Sequence, residues 1–277
     1  RAGADMLYSS GTTGRPKGIR PSLPEDPAID ASNALVTIAQ AWFKASADGV
    51  YLSPAPLYHA APLRYNMSVM RLGGTCIVME HFDSERYLEL VERYRVTHSQ
   101  LVPTMFVRML KLDPEVRARY DTSSLRCAIH AAAPCPVPIK QQMIDWWGPV
   151  LWEYYAGTEG NGVTLVDSQA WITKPGTVGK AVVGVLKICD EQGDEVPTGN
   201  EGTVHFADGR QFVYHNDEEK TANSRNAKGW TTLGDVGRVD QDGYLYLTDR
   251  KAFMIISGGV NIYPQEIESL LIAHPEV

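Results

Sequence analysis

Apolar and polar positions follow two rhythms along this chain, and the balance between them shifts with position. Thr75 to Glu80, Thr97 to Val102 and Leu125 to Ala131 read as short strands. Between them, Ser84 to Tyr94 and Val137 to Trp147 carry helical spacing, and Pro103 opens a further short helix. In Ser84–Tyr94 the side chains of Leu88, Val91 and Tyr94 share an inner face, with Asp83 or Ser84 as the cap. Ala31 to Ala45 is also predicted helical, with Leu35, Ile38, Ala39 and Trp42 on one face, and Tyr51 to His59 reads as a strand running into a turn. Strands and helices alternating through short connections predict an α/β domain with a largely parallel sheet. Ligands of such sheets sit at the carboxyl ends of strands.

Beyond Val178 the pattern changes. Val185–Cys189 and Gly202–Phe206 are short strands around the turn signals Gln192-Gly193-Asp194 and Thr198-Gly199-Asn200. Tyr244–Leu247 follows the hairpin turn Gln241-Asp242-Gly243. A small β-subdomain over about 178–249 is therefore expected on the α/β core. Pro264 to His274 is a predicted helix, with Ile267, Leu270 and Leu271 on its inner face.

Composition narrows the field. The 277 residues are 44% hydrophobic and 21% charged, ordinary for a globular protein. A net charge of −7 and the lack of any Lys/Arg cluster argue against a nucleic-acid partner. No apolar run approaches the roughly 20 residues of a transmembrane helix, and no signal peptide opens the chain. Cys76, Cys127, Cys135 and Cys189 have neither zinc spacing nor a disulfide pattern, which reads as reduced thiols in a cytoplasmic protein. The chain reaches a motif soon after Arg1 and stops at Val277 one helix past another, so it reads as a fragment with both natural ends missing.

Four stretches carry chemistry. Ser9-Ser10-Gly11-Thr12-Thr13-Gly14-Arg15-Pro16-Lys17-Gly18 follows the strand-like Met6-Leu7-Tyr8. Its glycines permit close backbone approach, its hydroxyls donate, and Lys17 supplies a cation, which together suit a polyphosphate. It lacks the spacing of the common P-loop. A flexible linker is the competing reading of such composition. His130-Ala131-Ala132-Ala133-Pro134 closes a strand with small residues that would let a flat ring approach the backbone. Leu151 to Glu159 ends in aromatic residues, a small pair, a hydroxyl and a carboxylate: a stacking surface, a phosphate donor and a hard-cation ligand. Gly229 to Asp235 offers a carboxylate able to accept from a cis-diol.

In this order the four stretches resemble the adenylate-forming superfamily, which includes acyl-CoA synthetases, adenylation domains of peptide synthetases and firefly luciferase. The resemblance covers essentially the whole chain and is nearly residue for residue in the first loop. Ala131 and Ala156 stand where the family usually has Gly. The resemblance implies a partial adenylate-forming domain over residues 1–249 and the start of a mobile C-terminal α+β lid domain over 250–277. It places Ser9, Ser10, Gly11, Thr12, Thr13 and Gly14 on the phosphates with Lys17, and Ala132 and Ala133 at the adenine. Tyr155, Ala156 and Gly157 follow in the adenine motif, with Tyr155 on the ring itself. Thr158 goes to the α-phosphate, Glu159 to Mg²⁺, Asp235 to the ribose hydroxyls, and Arg250 to ribose or phosphate. His59, His130 and Tyr154 would border the acid, and Gly258-Gly259 the entering thiol arm. Ala252 stands where the family often has Lys or Asp, and nothing here matches the family's late catalytic Lys.

The resemblance is strongest to bacterial fatty-acyl-CoA synthetases. It implies an acid–thiol ligase using ATP, Mg²⁺ and coenzyme A on a carboxylic acid, fatty or otherwise apolar, in fatty acid and lipid metabolism. Two alternatives stand beside it: an enzyme that loads a carrier protein, and a nucleotide-binding module without turnover.

Overall fold

The computed structural model describes residues 3–9, 17–20 and 33–250, together with 23, 26, 28, 31, 255–257, 260–262, 264–272 and 274. The chain forms two compact units. One comprises Ala28–Glu153, Asp167–Ile172 and Pro275–Val277, the other Arg1–Pro27, Tyr154–Val166 and Thr173–His274.

The first unit is built on parallel strands in the order Thr75–Val78, Val50–Ser53, His98–Leu101, Cys127–His130 and Leu151–Ala156, the last crossing into the second unit at Tyr154. Helices Ala60–Arg71, Ser84–Tyr94, Pro103–Leu110 and Val137–Trp147 connect them. The alternation predicted from the sequence is thus an α/β fold with a parallel-type sheet. Tyr51, Leu52, Tyr87, Leu88, Val91, Phe106, Met109, Ile129 and Met143 form its buried interior. Each such large apolar side chain contributes about 1.5–3 kcal/mol on burial.

The central strand His98–Leu101 is polar in sequence yet wholly buried. The His98 and Ser99 side chains are matched locally. The His98 ring bonds the Thr97 hydroxyl at 2.8 Å and the Phe43 carbonyl at 2.9 Å, and the Ser99 hydroxyl donates to the Leu52 carbonyl at 2.8 Å. A buried strand tolerates such residues only when they are bonded.

Helix limits and faces differ from the sequence expectation in instructive ways. The first helix spans Ala34–Ala41 rather than starting at Ala31, because the Asn33 side chain accepts from the Leu35 and Val36 amides and caps it. Of its predicted inner face only Ala39 is buried, and Leu35 is exposed, while Phe43 just beyond the helix enters the core. Asp83, not Ser84, caps Ser84–Tyr94 by accepting from the Arg86 amide at 2.8 Å. Tyr94 points outward because the chain turns left-handed at Arg95, φ 51°, and the Arg93 guanidinium covers the ring. Helix Ala60–Arg71 has no counterpart in the sequence reading. Its polar and apolar residues mix too evenly to mark one stripe.

The second unit is antiparallel. Strands Val185–Cys189, Gly202–Ala207, Thr231–Val239 and Leu245–Arg250 form one sheet over a core of Val178, Ile188, Val204, Phe206 and Leu245. Strands Leu7–Ser9, Lys17–Arg20 and Val213–Tyr214 form another. Ile255–Ser257 pairs with Val260–Ile262, and helix Pro264–Ile272 follows. Asp249 receives the Gln265 amide at 3.1 Å, which places a carboxylate at this helix's N-terminus. Ile267, Leu270 and Leu271 are exposed rather than inward, since no described residue covers that face.

Candidate active site

The first loop lies between two paired antiparallel strands. Ser9 and Lys17 are register partners at the facing ends of strands Leu7–Ser9 and Lys17–Arg20. Ser10, Gly11, Thr12, Thr13 and Gly14 lie outside the described residues, and Ser9 and Lys17 are placed by backbone alone. Strand Val213–Tyr214 secures the far side of this pair, with Tyr214 opposite Ile19 and the His215 amide donating to the Gly18 carbonyl at 2.8 Å. Ile19, Phe212 and Tyr214 pack as a small buried cluster.

In the same unit, strand Leu151–Ala156 delivers Tyr155 and then Gly157, Thr158 and Glu159. The Tyr155 hydroxyl donates to Asp235 Oδ2 at 2.6 Å. The Tyr155 ring stacks near Phe206, with centroids 6.3 Å apart and planes 25° apart. Asp235 is the antiparallel register partner of Arg250, whose backbone alone is described. Three residues named from separate strings, Tyr155, Asp235 and Arg250, are therefore brought together. A carboxylate offers about four lone-pair positions, of which the Tyr155 bond takes one.

Glu159 Oε1 accepts from the Tyr214 hydroxyl at 2.9 Å. Burial first, and then the Glu159 carboxylate, push the Tyr214 phenol above its ordinary range, so it remains a donor at neutral pH. Gly157 packs closely against two flexible side-chain ends, which a larger residue would have to displace. A Cβ there would lie 2.5 Å from Leu233 Cδ1 and 2.7 Å from Glu159 Oε2. Ala156 and Thr158 are half-buried beside these residues. Among the described residues no group of three or more His, Cys, Asp or Glu could hold a metal. One half-buried carboxylate suits Mg²⁺ that arrives on a polyphosphate, since Mg²⁺ usually takes one or two carboxylates with substrate phosphates.

The α/β unit holds His59, His130, Ala132 and Ala133. His59 is exposed at the N-cap of Ala60–Arg71, its ring 4.5 Å from that of Tyr58. Ala132 and Ala133 form an exposed turn at a strand's carboxyl end, and Ala132 adopts φ 76°. A non-glycine residue there stores of order 1–3 kcal/mol of strain, which the surrounding turn sustains. His130 is fully buried, edge-on to Phe106 at 5.3 Å. Its Nε2 lies 3.6 Å from Glu153 Oε2, and neither ring nitrogen has a hydrogen-bond partner among the described residues. The same Glu153 oxygen takes a 2.6 Å bond from the Lys140 ammonium, which also lies 4.9 Å over the Trp171 ring. Burial, helped by the Lys140 charge, holds the His130 pKa well below its ordinary value, so the ring is neutral. Burial also raises Glu153 and lowers Lys140, and each partner's charge works against that shift. Tyr154 is half-buried, and Gly258 and Gly259 lie outside the described residues.

Lys140, Glu153 and Tyr214 were not visible from the sequence as site-related residues. Lys140 reads as one polar position on an amphipathic helix, and Tyr214 meets Glu159 across 55 residues. No local pattern marks either. The four cysteines are free thiols, as expected, with Cys127 and Cys189 buried.

Comparison with known proteins shows the family. The family model of AMP-binding enzymes matches residues 3–211. The chain is 32% identical over 277 residues to 2-succinylbenzoate–CoA ligase of Bacillus pumilus, covering 99% of this chain and 54% of the relative. It is 34% identical to 3-[(3aS,4S,7aS)-7a-methyl-1,5-dioxo-octahydro-1H-inden-4-yl]propanoyl:CoA ligase of Rhodococcus jostii, covering 97% of this chain and 50% of that protein. O-succinylbenzoate coenzyme A synthetase of Bacillus subtilis, solved with ATP and magnesium, superposes with a TM-score of 0.79 at 28% identity, over 98% of this chain and 55% of that one. The chain spans about half the length of the curated relatives it matches.

Proposed function

The chain belongs to the AMP-binding enzymes, and from that premise we propose that the protein it comes from is an ATP-dependent acid–CoA ligase. A carboxylate oxygen of the acid attacks the α-phosphorus of ATP, the bond to the β-phosphate oxygen breaks, and acyl-AMP and pyrophosphate form. The thiol sulfur of coenzyme A then attacks the acyl carbon and AMP leaves.

The residues divide that work. Tyr155 and, separately, Ala132 and Ala133 are assigned to the adenine, Asp235 accepts from the ribose hydroxyls, and Arg250 contacts ribose or phosphate. Thr158 donates to the α-phosphate, and Lys17 and its neighbouring loop offset the growing negative charge. Bound Mg²⁺, held by Glu159, would supply further neutralisation of the phosphates. Positioning and charge stabilisation dominate phosphoryl chemistry, so this set needs no covalent residue. His59, His130 and Tyr154 are assigned to the acid, Gly258-Gly259 to the thiol arm, and 250–277 to the start of the mobile lid domain. A cytoplasmic location belongs to the same reading and is supported by the free thiols.

The acid is where the reading departs most from the sequence expectation. The two ligases named above act on ring-bearing acids, a succinylbenzoate and a bicyclic propanoate. That favours a carboxylic acid with a cyclic apolar body over a simple fatty acid.

The observation that carries the proposal is the Tyr155–Asp235 hydrogen bond, which joins two predicted nucleotide residues 80 positions apart. The test is a mass-spectrometric product assay on the complete protein with Mg·ATP, coenzyme A and a panel of cyclic and linear acids. Acyl-CoA formed fastest from a cyclic acid is the expected result. Acyl-AMP without acyl-CoA would reassign the acceptor, for example to a carrier protein. ATP left intact across the panel would overturn the ligase and leave a nucleotide-binding protein.

A further inference from the structure

Tyr214 plays no part in the chemistry described above, yet it touches two elements that do. Its backbone pairs with Ile19 on strand Lys17–Arg20, so its position is tied to the strand that begins at Lys17. Its amide donates to the Thr221 hydroxyl at 3.0 Å, which anchors the strand end to helix Glu218–Asn223. Its ring is 8% exposed and packs with Ile19 and Phe212, while the Arg225 guanidinium lies over Phe212 and donates to the Phe212 carbonyl. From this fixed platform the hydroxyl reaches Glu159 at 2.9 Å.

We propose that Tyr214 is a positioning residue that holds the Glu159 carboxylate at a set distance from the strand carrying Lys17, so that cation and carboxylate meet one polyphosphate in register. The inference rests on the reading of Glu159 as the Mg²⁺ ligand. Chemically the arrangement is suited to that task. A neutral hydroxyl occupies one lone pair of Oε1 and orients the carboxylate without cancelling its charge, where a lysine or arginine would compete with the metal. Apolar packing alone does not explain it, because a phenylalanine would fill the same cluster and leave Glu159 unheld.

The test compares Tyr214→Phe, Glu159→Gln and the double variant in the complete protein, with Mg²⁺ as the titrant. Two quantities are read: the Mg²⁺ concentration for half-maximal pyrophosphate release, and calorimetric Mg²⁺ binding in the presence of a non-hydrolysable ATP analogue. A hydrogen bond to a charged group sets the expected size, so Tyr214→Phe should raise the Mg²⁺ requirement about tenfold in both readouts. Its kcat at saturating Mg²⁺ should stay within about twofold and its melting temperature close to the parent. In the Glu159→Gln background the same change should add nothing further. Tyr214→Leu, which keeps an apolar group in the cluster, serves if the phenylalanine variant folds poorly and should show the same metal shift. An unchanged Mg²⁺ dependence in Tyr214→Phe, alongside a shifted one in Glu159→Gln, overturns the brace and leaves the reading of Glu159 intact. Unchanged dependence in Glu159→Gln overturns both.

Discussion

Two sets of carboxylates in this protein are held in opposite ways. In the α/β unit, Glu153 is buried and paired with the Lys140 ammonium at 2.6 Å, with His130 beside it. In the antiparallel unit, Asp235 and Glu159 are each held by a tyrosine hydroxyl, at 2.6 Å from Tyr155 and 2.9 Å from Tyr214. An ammonium neutralises its carboxylate and closes it to other partners. A phenol orients the carboxylate and leaves its charge and most of its lone pairs available. A lysine ammonium at Glu153 and tyrosine hydroxyls at Asp235 and Glu159 are what distinguish the two sets.

The largest expected effect comes from breaking the closed pair. Lys140→Met leaves Glu153 buried without its counter-charge and should destabilise the protein by about 3–5 kcal/mol in denaturant unfolding. Lys140→Met with Glu153→Met should recover most of that loss, because a well-packed apolar pair is often as stable as a buried ion pair. A double variant as unstable as the single one would contradict a purely structural role.

Next in size is the effect of replacing an open carboxylate. Asp235→Asn removes the charge that receives Tyr155 and should raise the ATP KM by roughly 10- to 100-fold, the range of one charge-assisted hydrogen bond. Melting temperature should move little. A stability loss as large as that of Lys140→Met, with unchanged KM, would erase the contrast between the two sets.

A smaller effect follows from the neutral His130. The unfolded chain protonates this ring near its ordinary value of 6.5, whereas the folded protein does so only well below it. Its contribution is complete above pH 6.5 and is lost as pH falls toward the folded value. Between pH 7.5 and 5.5 that is on the order of 1 kcal/mol. Glu153, raised by burial, works in the opposite direction at lower pH. The difference in unfolding free energy between the parent and His130→Phe, measured across this range, isolates the imidazole. His98 is also depressed by burial and is common to both proteins. A flat difference curve would show that His130 reaches solvent.

The smallest effect is expected at the surface. Lys174 contacts both Asp240 and Asp242, but Asp242 is mostly exposed. Asp242→Asn should change stability by less than about 0.5 kcal/mol, and less still in high salt. A loss beyond 1 kcal/mol in thermal unfolding would mean that burial is a poor guide to a carboxylate's importance here.

Much of this was legible in the sequence. The alternation that predicted a parallel sheet corresponds to strands at Val50–Ser53, Thr75–Val78, His98–Leu101, Cys127–His130 and Leu151–Ala156. Helix Val137–Trp147 and strand Val185–Cys189 fall where their patterns put them. Errors gathered at helix faces. Leu35 and Tyr94 have the right spacing to face inward, but the Asn33 cap and the left-handed Arg95 set where those helices begin and end. Side-chain capping and a single φ value are weak signals in a one-letter string.

By itself, the sequence determined the order of elements, the family and the candidate ligand residues, because these depend on neighbours along the chain: turn chemistry, strand length and short strings of small, hydroxyl and charged residues. Tertiary structure alone decided how each carboxylate is held. Glu153 lies inside strand Leu151–Ala156 and Glu159 three residues past its end, and the local string that marks Glu159 says nothing of what holds either carboxylate. Strand register set Glu153 beside His130, helix packing brought Lys140 to it, and the pairing of Val213–Tyr214 with Lys17–Arg20 set Tyr214 within reach of Glu159. Contacts of that kind are made by long-range pairing and burial, which fix a side chain's charge state and reach after the local elements have formed.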